Sequence, residues 1–224
     1  MGIASCSPAM LRSTPEKRRP HAGFTLIEML IVVAIIGISA ALAAPAVHSA
    51  MVERRTGEAG HDLVRLSRQA RSEAIAYGRA HLVRYTAAST SGSRGRFELW
   101  RGISTGCNTN DWPTIMAFGA CDEADTMCVD FLDLSGSLFA IGSSYVTVSA
   151  ASGMTAFDMC YEPSGVMRYR RGTTGRFTDL NQPAGLGSAT GGFVFNVQRY
   201  DSGTAEGVTR RVVLPLSGNP RILL

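Results

Sequence analysis

The sequence predicts an α+β fold in which one long N-terminal helix packs on an antiparallel β-sheet head. Two observations support this fold. An apolar, helix-periodic segment occupies the first third of the chain, and short strand-like runs separated by Gly, Ser and Thr follow from residue 79. The 224 residues are 45% hydrophobic and 18% charged, a composition typical of one globular domain with an appendage.

The positive charge of the chain is concentrated near its N-terminus. Residues 1–23 contain the only lysine and three arginines against one glutamate, a net charge of +3 out of the total of +4. The remaining residues therefore sum to +1. The overall charge is weak support for an anionic partner such as nucleic acid.

An apolar segment runs from Met29 to Val47 without a charged residue, and extending it back to Phe24 adds only Glu28. A helix of this length crosses a hydrocarbon core of about 30 Å. The basic cluster before it is expected to hold the N-terminus in the cytoplasm. A cleaved secretory signal and a plain membrane anchor are alternatives. Neither explains Glu28, because an ionised carboxylate inside a membrane is unfavourable.

Helical periodicity continues beyond the apolar segment. Gly78 is a natural stop, so the pattern predicts one helix from Phe24 to Tyr77, with its first half in the membrane. The two glycines within Thr56–Gly60 mark the point where this helix is most expected to bend or break. Six residues spaced three or four apart form the face that packs on the head: Ala59, Leu63, Leu66, Ala70, Ala74 and Tyr77.

The chain from Arg79 onwards predicts an all-β head with loops at Ser89–Arg96 and Arg171–Gly192, which are rich in Gly, Ser and Thr. No internal repeat is present. The predicted strands are His81–Thr86, Arg96–Trp100, Tyr145–Ala150, Ala156–Tyr161, Val166–Arg170, Phe193–Tyr200, Arg210–Leu216 and Arg221–Leu224.

The string GFTLIE at Gly23–Glu28, followed by an unbroken apolar helix, resembles the class III signal of type IV prepilins and type II secretion pseudopilins. The resemblance implies that a prepilin peptidase cleaves between Gly23 and Phe24 and methylates the new amino group of Phe24. The apolar helix stays attached. It also implies that Glu28 attracts the amino group of a neighbouring subunit during filament assembly, since opposite charges interact strongly in a low dielectric.

Two further stretches resemble the FimT/GspH family of minor pilins and pseudopilins. They are RLSRQARSEAIAYGRA at Arg65–Ala80 and RRVVLPLSGNPRILL from Arg210 onwards. The resemblance is clear over residues 23–86, thin over 100–160 and fair near the C-terminus. It implies four segments: a leader peptide at 1–23, a transmembrane helix at 24–47, an amphipathic continuation at 48–78 and a β-rich head at 79–224.

The resemblance implies a structural protein rather than an enzyme. It would be a minor subunit that primes or caps a type IV pilus. The chain is then expected in the bacterial inner membrane, with its head in the periplasm or at the tip of a pilus. The implied partners are the prepilin peptidase, the major pilin and other minor pilins. A minor pseudopilin of a type II secretion system and a DNA-capturing pilin are the alternatives.

Four of the five cysteines follow the leader: Cys107, Cys121, Cys128 and Cys160. In an oxidising compartment they are expected to form disulfides. Three pairings are open, of which we favour Cys107–Cys121 with Cys128–Cys160. A zinc site is the rival, but no two of these cysteines are separated by only two to four residues, as such sites require.

No catalytic or cofactor site is predicted. The four histidines form no Ser/His/Asp or Cys/His grouping, and the glycine-rich stretches lack a phosphate-loop pattern. The acidic run Asp122–Asp125 lacks the pattern of a calcium loop, so no metal is expected there.

DNA contact is the remaining candidate. Some FimT-like pilins that capture DNA have a motif resembling Gly-Arg-x-Arg near the C-terminus. The matching stretch here, Gly218–Arg221, has Asn219 in place of the first arginine. A second arginine cluster, which includes Arg176, could meet phosphates. The candidate contacts are Arg168, Arg170, Arg171 and Arg221.

Overall fold

The computed structural model describes residues 24–88, 94–108, 110–112, 121, 126–177, 192–215 and 219–223. These residues form the helix α1, Leu26–Tyr77, and ten strands. The strands are β1 His81–Thr86, β2 Arg96–Arg101, β3 Cys128–Asp133, β4 Ala140–Ile141, β5 Ser144–Ala150, β6 Ala156–Tyr161, β7 Met167–Arg171, β8 Gly192–Asp201, β9 Thr204–Pro215 and β10 Arg221–Leu223.

The chain divides into two compact units, residues 1–44 and 45–224. In the first unit α1 begins at Leu26, two residues later than predicted. Its side chains are exposed throughout. The helix is long and apolar enough to cross a membrane, and its most apolar stretch of 18 residues is not buried against the rest of the chain. The predicted transmembrane character of this segment therefore agrees with its length and composition.

In the second unit α1 remains helical through the two glycines where bending was expected. A Cβ atom on Gly57 would lie 2.6 Å from Nη1 of Arg210, and one on Gly60 would lie 3.5 Å from Cδ1 of Ile222. Gly57 thus faces the flexible end of Arg210 on β9, and Gly60 lies at ordinary van der Waals distance from Ile222 on β10. This packing outweighs the low helix propensity of glycine.

The strands form two antiparallel sheets in the second unit. Sheet one has the order β3-β2-β1-β6-β7, and sheet two has the order β10-β9-β8-β5-β4. The predicted α+β fold with an antiparallel head is confirmed. The bounds of β1 and β6 are those predicted, and β9 begins six residues earlier than predicted. Strands β3 and β4, and a short 3₁₀ helix at Ser137–Phe139, were not predicted.

One hydrophobic core is shared by α1 and both sheets. The buried face of α1 contributes small and aliphatic side chains, which include five of the six residues predicted for that face; Tyr77 is exposed. Aromatic rings fill the centre. The ring of Tyr85 lies 4.9 Å from that of Phe97, 5.1 Å from that of Phe157 and 5.2 Å from that of Phe195, between centroids. Such tilted contacts add to the stabilisation from burial alone.

The hydroxyl of Tyr85 joins the two sheets. It donates to the carbonyl oxygen of Val148 at 3.1 Å and accepts from the amide of Ala150 at 3.2 Å. Tyr85 lies on β1 of sheet one. The carbonyl group of Val148 and the amide of Ala150 lie on β5 of sheet two, after Ser144 and Tyr145, which are the residues of β5 that pair with β4. The amide of Val148 in turn donates to the carbonyl oxygen of Arg94 at 3.4 Å. Burial raises the pKa of Tyr85 to about 12, so the hydroxyl keeps its proton.

We predict that Tyr85→Phe lowers the free energy of unfolding by about 1–3 kcal/mol, because it leaves a buried amide and carbonyl on β5 without partners. Thermal unfolding of the full chain in detergent measures the change. The control is Tyr200→Phe, at a partly buried tyrosine stacked on Tyr145, which should shift unfolding much less. Equal effects of the two substitutions would contradict the role given to the Tyr85 hydroxyl.

Candidate functional site

The N-terminal motif lies at the beginning of α1. Phe24 precedes the first turn and is 78% exposed, and Glu28 lies within that turn and is also exposed. Thr25 caps the helix: its Oγ1 accepts from the amide of Glu28 at 3.2 Å, and its carbonyl oxygen accepts from the amide of Met29 at 3.2 Å. Gly23 lies outside the described residues.

Glu28 therefore also has a local structural role. Threonine followed three residues later by glutamate is the residue pattern of a capping box, and here the threonine side chain makes its half of that arrangement. A carboxylate in the first turn of a helix also interacts favourably with the helix dipole. The geometry places the Glu28 side chain on the exposed surface of the first turn, where a neighbouring chain can reach it.

In the head, two disulfides connect the four cysteines as Cys107–Cys160 and Cys121–Cys128, with Cα–Cα distances of 6.0 and 5.2 Å. The pairing that we favoured is wrong. The reason is that Cys128 begins β3, a strand that the sequence did not predict. On β3 it lies opposite Trp100 of β2, within reach of Cys121.

The disulfides hold Cys107 and Cys121, which lie between β2 and β3 in sequence, against the outer face of sheet one, on the side away from the core. There Leu82, Trp100 and Cys160 form a second apolar cluster with Trp112 and Cys121 of this connection. The backbone after β2 comes close to the residue before β1 at Gly102, where a Cβ atom would lie 2.5 Å from the carbonyl oxygen of Ala80. Only glycine fits at this position without a shift of the backbone.

A buried carboxylate anchors the same connection independently of the disulfides. Glu98 accepts from the amide of Cys121 at 3.1 Å and from Nε1 of Trp100 at 3.3 Å. Its charge is balanced by Arg96, whose Nε lies 2.8 Å from Oε1 of Glu98. The buried carboxylate of Glu98 is thus paired with two N–H donors and one guanidinium where Cys121 meets the sheet.

A charged row crosses the outer face of sheet one beside the apolar cluster. Arg84, Asp158 and Arg170 lie directly opposite one another on β1, β6 and β7. Asp158 is fully buried; its two carboxylate oxygens accept from Nε and Nη2 of Arg84 at 2.8 and 3.0 Å, and Oδ2 also accepts from Nε of Arg170 at 2.8 Å. Arg170 is 2% exposed and its guanidinium lies over the ring of Phe177 at 4.6 Å.

The four arginines considered for DNA contact differ in burial and in their ion pairs. Arg170 is buried in an ion pair, so its guanidinium is not available to a phosphate. Nε of Arg168 lies 2.7 Å from Oε1 of Glu162. Arg171 and Arg221 are exposed and lie on different sheets. Gly218, in the motif near the C-terminus, lies outside the described residues.

The histidine nearest the core is structural. His81 is fully buried at the start of β1, with Nδ1 3.1 Å from the carbonyl oxygen of Arg79 and Nε2 3.4 Å from Oε2 of Glu73. Burial lowers the pKa of His81 because it disfavours the charged imidazolium. Across the described part of the chain, no three His, Cys, Asp or Glu side chains are grouped as metal ligands. The acidic run Asp122–Asp125 lies outside it.

Comparison with known proteins identifies one feature. The prokaryotic N-terminal methylation motif matches residues 18–44, which include Phe24, Glu28 and the beginning of the apolar helix. No curated protein and no solved structure matches the chain. The motif supports a type IV pilin-like or pseudopilin-like protein. Its leader implies processing by a prepilin peptidase and assembly with other pilins.

Sequence reasoning identified the N-terminal motif but missed the polar groups that organise the head. Arg84, Asp158 and Arg170 each occupy alternate positions of short strands, so period-two alternation places them on the outer face. Their meeting depends on the registers of β1, β6 and β7, which a single sequence does not supply. Glu98 and Tyr85 likewise gain their roles only through contacts between strands distant in sequence.

We predict that the two disulfides contribute unequally to the stability of the head. Cys107–Cys160 closes a separation of 53 residues and Cys121–Cys128 one of 7. Loop-closure entropy therefore assigns the longer bridge about 2 kcal/mol more stabilisation. Unfolding of the two double variants, with both cysteines of one bridge changed to alanine, measures the difference. Equal destabilisation, or greater loss from the Cys121–Cys128 pair, would contradict this ranking.

Proposed function

We propose that this chain is a minor structural subunit of a type IV pilus, related to the FimT/GspH group, which primes or caps filament assembly. One observation carries the proposal. The methylation motif matches residues 18–44, where Glu28 lies in the first turn of an exposed apolar helix. An exposed apolar helix needs a covering environment, which a membrane supplies before assembly and other subunits supply afterwards.

Processing would remove residues 1–23 and methylate the new amino group of Phe24. This group would lie before the first turn of α1, four residues from Glu28 in sequence. Residues 24–47 would span the inner membrane, residues 48–78 would continue the helix, and residues 79–224 would form a periplasmic head. In the filament, Glu28 would pair with the amino group of a neighbouring subunit, since either charge alone in a low dielectric is strongly unfavourable.

Three features of the head favour a minor subunit. The stretch Arg65–Ala80, which resembles the FimT/GspH head, includes the last turns of α1 and leads into β1. The closing stretch from Arg210 includes the end of β9 and β10, which pair as a hairpin. Two disulfides suit a head that is exposed outside the cell at a pilus tip. DNA capture is less favoured because Arg170 is buried.

A deletion strain tests the choice of machine. Loss of the protein should reduce the number of surface pili and abolish twitching, while proteins secreted by the type II pathway still reach the medium. Re-expression of the full chain should restore pili. Trapping of those secreted proteins in the periplasm with normal pili would instead identify a pseudopilin and contradict the proposal.

We predict that Glu28→Ala yields a protein that is cleaved and membrane-bound but is depleted about tenfold or more from sheared filaments. The reason is that an unpaired ammonium in a low dielectric costs several kcal/mol. Immunoblots of membrane and filament fractions from the complemented deletion strain measure this. The control is Glu58→Ala, which removes a surface pair with Arg54 and should assemble normally. Normal incorporation of Glu28→Ala would contradict the role given to the carboxylate.

A further inference from the structure

The hairpin of β8 and β9 lies along α1 and runs toward the N-terminal side of its second half. A Cβ atom on Gly60 would lie 3.6 Å from Cγ2 of Val212, and one on Gly207 would lie 3.2 Å from Oε2 of Glu53. Nη2 of Arg210 lies 2.7 Å from Oε1 of Glu53. As the residue number on β9 falls, the number of the residue it contacts on α1 therefore falls too.

The end of β8 continues this progression. Nη1 of Arg199 lies 3.5 Å from Oγ of Ser49. Ser49 follows Val47, the last residue of the apolar segment, by two residues, which is about 3 Å of helix. The β8–β9 turn, residues 202–203, begins three residues beyond Arg199, a reach of about 10 Å in an extended strand. The turn therefore reaches the level at which the apolar segment ends.

A second turn lies beside the first. It is the β4–β5 turn, residues 142–143, and the hydroxyl of Ser143 donates to Oδ1 of Asp201 at 2.6 Å. The amide of Ser202 donates to the carbonyl oxygen of Ser143 at 3.2 Å. The hydrogen bond from Ser143 lowers the pKa of Asp201, and the nearby charge of His48 adds to this shift. Both turns thus lie close to the residues that follow the apolar segment.

We propose that these two turns form a surface that contacts the phospholipid headgroups of the membrane. The proposal rests on the proposed membrane span of residues 24–47. The headgroup layer occupies roughly 5–7 Å on each side of the hydrocarbon core. With Val47 at the edge of that core, Ser49 and the two turns lie within the headgroup layer.

The side chains of this surface suit a headgroup layer. Ser143, Ser202 and Thr204 are exposed, and their hydroxyl groups both donate and accept hydrogen bonds, as phosphate and ester groups of lipids require. Tyr145 and Tyr200 lie within two residues of the turns in sequence, and their rings stack with centroids 5.6 Å apart. Tyrosine is enriched where proteins meet the membrane–water interface.

Attraction between opposite charges is not the basis of this contact. Two arginines near the hairpin are already paired, Arg199 with Glu206 at 3.3 Å and Arg210 with Glu53 at 2.7 Å. A surface that binds anionic lipid needs clustered positive charge. The contact is therefore expected with zwitterionic lipid such as phosphatidylcholine.

The test uses the full chain reconstituted in phosphatidylcholine vesicles. Bromine atoms on the acyl chains, placed near the headgroups, quench tryptophan fluorescence on contact. Thr204→Trp introduces a probe at the exposed start of β9, and Ile36→Trp places one in the apolar segment. The unsubstituted chain gives the baseline for Trp100 and Trp112, which are both buried.

Ser164→Trp, at the exposed β6–β7 turn, is the matched control. A Cβ atom on the adjacent Gly165 would lie 3.5 Å from Nε of Arg71. Arg71 follows Val47 by 24 residues, so about 36 Å of helix separates this turn from the end of the apolar segment. The control therefore lies far outside the headgroup layer.

The fluorescence added by Thr204→Trp should fall by about half in brominated vesicles, since tryptophan at a membrane interface lies at headgroup level. The fluorescence added by Ser164→Trp should not change. Quenching of Ile36→Trp without quenching of Thr204→Trp would overturn the proposal and leave the membrane span intact. Unquenched Ile36→Trp would contradict the span and the proposal together.

Two further outcomes would also overturn the proposal. Equal quenching of Thr204→Trp and Ser164→Trp would show that lipid contact is not specific to the two turns. A blue shift of the Thr204→Trp emission without quenching would show that a second copy of the chain, and not lipid, covers this surface.

Discussion

The hydroxyl of Tyr85 connects the two sheets, and the rest of the head depends on this connection. Strand β4 pairs with only the first two residues of β5, so the backbone groups of Val148 and Ala150 on that edge need other partners. Tyr85 supplies both a donor and an acceptor, and the carbonyl of Arg94 accepts from a third group nearby. Each buried backbone group left without a partner on this edge would cost about 1–3 kcal/mol.

Once the sheets are joined in this way, α1 and both sheets enclose one core, and sheet one has a second face to cover. That outer face is divided between apolar and charged parts. The apolar part is covered by Trp112 and Cys121, described residues between β2 and β3; the Cys107–Cys160 disulfide and the carboxylate of Glu98 hold this region on the sheet. In the charged part, Asp158 pairs with both Arg84 and Arg170, which leaves one positive charge in this group of three. Some of the arginines that give the sequence its basic character therefore serve to pair buried carboxylates within the head.

Elements of this fold that depend on a local apolar pattern were predicted from the sequence, and elements that depend on contacts between distant residues were not. Strands β1 and β6 were predicted with their observed bounds because they alternate cleanly on a core-facing side. Strand β3 was missed because Asp130 and Asp133 interrupt its apolar pattern. Their charges are paired with Arg65 and Arg96, contacts that a single sequence does not reveal. The disulfide pairing was wrong for the same reason, since Cys128 lies on that strand.

The N-terminal motif was predictable because its chemistry is local. Phe24, Thr25 and Glu28 lie within five consecutive residues, and their spacing is complete in the sequence. The head gives no comparable signal, because its cysteines and buried acids meet only after folding. The motif therefore supports a pilin-like or pseudopilin-like protein, and the head carries what is particular to this chain.

The most direct measurement is mass spectrometry of the N-terminus of the chain purified from bacterial membranes and sheared filaments. A peptide that begins at an N-methylated Phe24 is the predicted result, because the methylation motif matches residues 18–44 and GFTLIE resembles a prepilin signal cleaved between Gly23 and Phe24. An N-terminus that retains residues 1–23 in both fractions, or a new N-terminus after the apolar segment, would contradict the central claim.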